Sequence, residues 1–118
     1  MDNRRKYPRY NVAIAAEVET TRGTLAGETR DVSEGGVAVI LHEPLPEQST
    51  VDVTLLLTQD GIEDPNEDPF EGQASVMWAA PSEDGQAMMG LRFTQVRPDQ
   101  QKRLQRFLGL LSPVSPRR

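Results

Sequence analysis

From Tyr10 to Glu19 the chain reads YNVAIAAEVE, so Val12, Ile14, Ala16 and Val18 share one face with polar or small residues between them. A period of two marks a half-buried β-strand. Thr21-Arg22-Gly23 is turn chemistry, and Thr24 to Val32 reads as a second, more polar strand with Leu25 and Gly27 on its core side. After Gly36, VAVIL forms a compact apolar strand; EPLPEQST is a loop leading into VDVTLLL, and both apolar runs line the core. Gly72 to Ala80 alternates again, which puts Ala74, Val76 and Trp78 on one face. PSEDGQ is a turn, and MMGLRF returns antiparallel with Leu91 and Phe93 inward. That parity assigns Trp78 to the core and leaves Met77, Met88 and Met89 as ordinary packing or exposed residues.

The period changes near the C-terminus. Pro98 suits a first helical turn, Asp99 favours its positive end, and Leu104, Phe107, Leu108 and Leu111 recur at helical spacing opposite Lys102, Arg103 and Arg106. Such a stripe caps the open end of a barrel; its rival role is docking onto a partner or a second copy. Pro113 ends the helix, and residues 112–118 form a frayed tail. Six short antiparallel strands followed by one helix predict a mainly β fold, a small six-stranded antiparallel barrel with a C-terminal α-helix. A barrel of this size fills its interior with side chains, so any ligand sits on its outside or rim.

Composition narrows the picture. A chain of 118 residues fits one domain, with the barrel and helix over 10–111 and a flexible arm over 1–9 that lacks apolar periodicity. No apolar run is long enough to span a membrane, nor is there a secretory h-region, which points to the cytoplasm without membrane insertion. Zero cysteines exclude disulfides, thiolate metal ligands and cysteine nucleophiles. The net charge of −5 conceals a segregation: residues 1–10 hold Arg4, Arg5, Lys6 and Arg9 against Asp2 alone, whereas residues 11–96 hold only Arg22, Arg30 and Arg92 against sixteen acids. An acidic body repels nucleic acid, whose binding uses many distributed phosphate contacts. A short basic arm suits a small anion better.

Most carboxylates fall where they do no chemistry. Gln59 to Glu71 carries six acids and two prolines, which disfavours regular structure, and its spacing does not match the calcium loop DxDxDG with a glutamate at position twelve. It reads as a solvated connection with no metal. His42 stands alone, there is no GxSxG nucleophile element and no P-loop, and no acid and base pair in a shielded cleft. The sequence therefore points to a non-enzyme that uses no cofactor.

Two patches remain. In RRKYPR, Arg5 and Arg9 are four apart with Arg4 and Lys6 beside them, and Pro8 limits Tyr7 to extended backbone, so the cluster is a loop. A guanidinium forks onto phosphate, binds the O6/N7 edge of guanine bidentately or stacks on a purine. In DVSEGG, Asp31 is an acceptor-only carboxylate suited to guanine N1–H and N2–H₂, Ser33 donates or accepts, and Gly35-Gly36 allows close backbone approach. An Asx or Ser turn capping the strand is the alternative use of Asp31 and Ser33.

Arg5-x-x-x-Arg9 followed by Asp31-x-Ser33-x-x-Gly36 resembles the two-part signature of PilZ domains, bacterial receptors for cyclic di-GMP (c-di-GMP). The likeness extends over residues 4–111, through Trp78, the GLRF strand and the terminal helix. It implies a PilZ-type barrel in which Arg4, Arg5 and Arg9 grip guanine edges and phosphates, Asp31 and Ser33 read a guanine edge, and Gly36 permits close approach. Lys6, Gly35 and Trp78 are further candidate contacts, since an aromatic at this position flanks the ligand in some relatives. It also implies a receptor, monomeric or homodimeric, that signals to an unidentified protein partner through ordering of its arm. The alternative is a ligand-independent PilZ-like adaptor that works through protein contacts in motility or pilus machinery.

Overall fold

Apolar side chains at every second position give this chain strands that must close on themselves to hide their edges. The computed structural model describes residues 8–57 and 69–111. Arg4, Arg5 and Lys6, most of the acidic connection and the C-terminal tail lie outside these residues. The strands are β1 (Ala15–Thr20), β2 (Gly23–Val32), β3 (Gly36–Leu41), β4 (Thr50–Leu55), β5 (Phe70–Pro81) and β6 (Ala87–Gln95), followed by helix α1 (Pro98–Leu108). They close into an antiparallel barrel in the order β1-β2-β3-β6-β5-β4. The six-stranded barrel and C-terminal helix expected from the periodicity are both present.

The interior is filled by Val18, Val32, Val39, Leu41, Val53, Leu55, Phe70, Val76 and Met89, all essentially inaccessible to solvent. Leu104, Phe107 and Leu108 of α1 join that cluster, and Leu111 packs on its margin, so the helical stripe faces inward. Two buried polar side chains stitch irregular segments to the barrel. Gln100 Oε1 accepts the Glu71 N–H at 2.8 Å, fixing α1 to the start of β5. Thr29 Oγ1 accepts the Ile14 N–H at 3.0 Å and donates to the Val12 carbonyl at 2.5 Å.

Element boundaries depart from the pattern in three places. The first strand begins at Ala15, not Tyr10, because Thr29 supplies through its hydroxyl the bonds that a strand ladder would have given residues 12–14. β5 begins at Phe70, inside the segment expected to be irregular, because Phe70 is fully buried and packs on Phe93 at 5.2 Å between ring centroids. The helix stops at Leu108, well before Pro113: the Gly109, Leu110 and Leu111 N–H groups satisfy its last carbonyls in a tightened final turn. Among the described residues no helix is long and apolar enough to cross a membrane.

Candidate functional site

The segment before β1 crosses the end of β2. Tyr10 N–H donates to the Val32 carbonyl at 2.9 Å and Val32 N–H returns to Tyr10 at 3.0 Å, an isolated antiparallel bridge. A register shift between Thr29 and Asp31 lies just before it in β2. Together these bring Arg9 and Asp31, 22 residues apart, into contact: Arg9 Nη2 lies 3.3 Å from Asp31 Oδ2. The Asp31 side chain is only 17% exposed and that of Arg9 38%, so the pair sits in a half-sheltered position and both groups keep a face toward solvent.

Asp31 and Ser33 open onto the same groove because the register shift between Thr29 and Asp31 reverses the alternation of β2: Thr29 and then Val32 are buried, and Asp31 turns outward instead of joining Leu25 and Gly27 on the core side. Ser33 N–H donates to the Gly36 carbonyl at 2.9 Å, and its hydroxyl accepts the Gly35 N–H at 3.1 Å and donates to the Gly36 carbonyl at 3.3 Å. The serine therefore builds its own turn; with one donor and two acceptor sites on a hydroxyl, one lone pair is left over. Gly36 has a packing reason as well: a Cβ there would lie 2.2 Å from the Leu91 carbonyl oxygen of β6. The Gly35 carbonyl accepts the Phe93 N–H at 2.9 Å, which pins the turn to β6.

Trp78 is where simple alternation fails. Val76 pairs with Leu91, but the next pair is Trp78 with Gly90, so Met77 is an extra residue in the ladder. One inserted residue reverses the parity of the residues after it. Val76 remains buried while Trp78 emerges on the outer face, 40% exposed, instead of entering the core. The indole lies across β6 at Gly90, where a Cβ would stand 2.2 Å from Trp78 Nε1. Only glycine leaves that space.

These elements line a groove of about 680 Å³. Arg9, Asp31 and the Ser33–Gly36 turn border it, Met77 and Trp78 contribute apolar surface, Arg92 and Phe93 rise from β6, and Gln101 and Leu104 of α1 close a side. Arg9, Asp31, Ser33, Gly35, Gly36 and Trp78 are thus brought together. Sequence reasoning missed Arg92 and Gln101 as lining groups; the signal for Arg92 was its place as one of three arginines in an acidic body. A second groove of about 730 Å³ presents Glu19, Asp52 and Glu71, with Arg97 also in its lining. Three carboxylates against one arginine disfavour an anion there, whereas the first groove balances Arg9 and Arg92 against Asp31 and Glu34.

Several solved structures share this architecture. The Bacillus subtilis inhibitor of motility, MotI/DgrA, superposes with a TM-score of 0.72 at 18% identity, covering 92% of this chain and 51% of that one. The PilZ domain of Escherichia coli YcgR with c-di-GMP gives 0.71 at 20% identity, covering 92% of both chains. The K. pneumoniae MrkH–c-di-GMP complex gives 0.70 at 15% identity, covering 92% of this chain and 51% of that one. The chain thus spans about half the length of the B. subtilis and K. pneumoniae proteins. At these identities the likeness establishes the fold. No curated protein matches the chain in sequence. The PilZ domain family model matches residues 3–110, nearly the whole sequence, and the chain belongs to that family.

Proposed function

We propose that this protein is a cytoplasmic receptor that binds c-di-GMP in the groove bordered by Arg9 and Asp31, and signals its presence to a protein partner. The observation that carries the reading is that one groove combines a guanidinium and a carboxylate 3.3 Å apart with an exposed indole. A guanine presents an acceptor edge to Arg9 and a donor edge to Asp31, while its flat face matches Trp78. Base stacking on an aromatic is worth about 1–3 kcal/mol. The YcgR and MrkH structures, which share the fold, carry c-di-GMP in their own complexes.

In this reading Arg4 and Arg5 grip phosphates and guanine edges alongside Arg9, Lys6 adds positive charge, and Ser33 and Gly35-Gly36 offer the ligand a hydroxyl and close backbone approach. Residues 1–9 close over the ligand, and ordering a segment on binding costs roughly 2–5 kcal/mol of the gross interaction. The altered arm, ligand and barrel surface is the signal a partner reads. The ligand leaves unchanged, because nothing in the proposed contacts activates a nucleophile.

Calorimetric titration with c-di-GMP at physiological salt, with GTP and cyclic di-AMP as controls, tests the assignment. Arg9→Ala and Asp31→Ala should each weaken binding by about 1–3 kcal/mol, the scale of a bidentate base contact, with little loss of fold stability. If both variants bind as the parent does, the residue roles are wrong. If the parent itself shows no affinity at high micromolar ligand, the adaptor reading replaces the receptor.

A further inference from the structure

Glu34 lies inside the Ser33–Gly36 turn and lines the groove, yet its carboxylate is engaged on the helix: Gln105 Nε2 donates to Glu34 Oε1 at 3.1 Å, across 71 residues of sequence. The turn that carries Glu34 has little freedom, since Ser33 and Gly36 close it internally and Phe93 N–H holds the Gly35 carbonyl. Gln101 is one helical turn from Gln105 on the same side of α1 and also lines the groove. Elsewhere α1 is anchored at the start of β5, through Gln100 to Glu71 and through Arg103 Nη1 to the Pro69 carbonyl. The Glu34–Gln105 bond therefore links α1 to the turn at the groove.

We infer that Glu34 is a positioning residue that reports ligand occupancy to α1, an inference that rests on the c-di-GMP reading above. A ligand with two phosphates places negative charge beside a carboxylate that already sits at the groove's edge. Like charges repel, and the turn cannot swing away. The side chain is driven off the groove toward the amide donors of Gln105, and the bond to α1 tightens. Occupancy of the groove thereby raises the order of a helix whose exposed face, with Lys102 and Arg106, is turned to solvent.

Amide hydrogen exchange of the full chain, free and at c-di-GMP saturation verified by calorimetry, tests this. In the parent, ligand should slow exchange over residues 101–108 by about fivefold, the low end of site-to-site coupling. Gln105→Ala should lose that gain. Glu34→Gln keeps the shape and an acceptor oxygen but not the charge, so it should retain the free-state protection of α1 and lose the ligand-induced gain. A merely structural role would leave the ratio of bound to free protection unchanged in Glu34→Gln. Parent binding with α1 exchange unaltered, or Glu34→Gln gaining as the parent does, overturns the coupling while leaving the receptor reading intact. Calorimetry showing no binding by the parent removes the receptor reading and this inference with it.

Discussion

Trp78 shows how much hangs on a single backbone insertion. Its spacing from Ala74 and Val76 assigns it to the core, and without the extra residue Met77 it would be there. A bulge is invisible to a period-two pattern because the pattern counts residues, whereas side-chain direction follows the ladder. One residue did carry a hint: Gly90, in the partner strand, has no packing function in the core but leaves the space the indole occupies. Gly90→Ala forces a Cβ into the ring, and overpacking of this kind typically costs about 1–3 kcal/mol. The indole must move, so the expected outcome is a lower urea midpoint, a shifted tryptophan emission maximum and weaker c-di-GMP binding. An unchanged emission spectrum would show that the ring is not held against β6. Arg9 and Asp31, by contrast, stood out in the sequence by their chemistry and not their periodicity, but their contact with each other did not.

At the scale of elements, the strands and helix followed from alternation and from the 3.6-residue stripe, while their ends did not. Helix α1 was readable from Pro98 and the Leu104, Phe107, Leu108 spacing, and those three side chains are buried, together with Gln100, which the apolar pattern did not mark. What hid the true start of β1 was a side chain from another strand. Thr29, only 2% exposed, satisfies the Val12 carbonyl and the Ile14 N–H, so residues 12–14 are bonded without belonging to a ladder. Sequence pattern records the burial of Ile14 but not which donor or acceptor serves it. Thr29→Val is close to isosteric and strands both backbone groups, which should cost about 1–3 kcal/mol. Chemical denaturation of the variant measures it; a midpoint equal to the parent's would mean that the segment before β1 finds other partners. The same segment leads to Tyr10 and Arg9, so the variant should also loosen the Arg9–Asp31 contact and reduce ligand affinity.

At the scale of the whole molecule the outer grooves differ in their balance of charge, and in the receptor reading that difference directs an anionic ligand to one of them. Among the described residues, one outer groove sets Glu19, Asp52 and Glu71 against Arg97, while another of similar size balances Arg9 and Arg92 against Asp31 and Glu34. The sequence showed that positive charge was scarce between residues 11 and 96, and so that a basic arm had to supply it. It could not show that Arg92 on β6 faces the same groove as Asp31 on β2, because that depends on β3 pairing between them, with Gly36 opposite Arg92. The closed barrel is what brings three distant stretches to one groove. Heteronuclear NMR of the full chain titrated with c-di-GMP tests that surface most directly. The amides of Arg9, Asp31 and Ser33 to Gly36 and the indole N–H of Trp78 should shift and saturate together, while amides near Glu19 and Asp52 stay in place. Resonances of the Arg9–Asp31 groove unmoved at saturating ligand, or shifts gathered instead on the acidic face, would contradict the account.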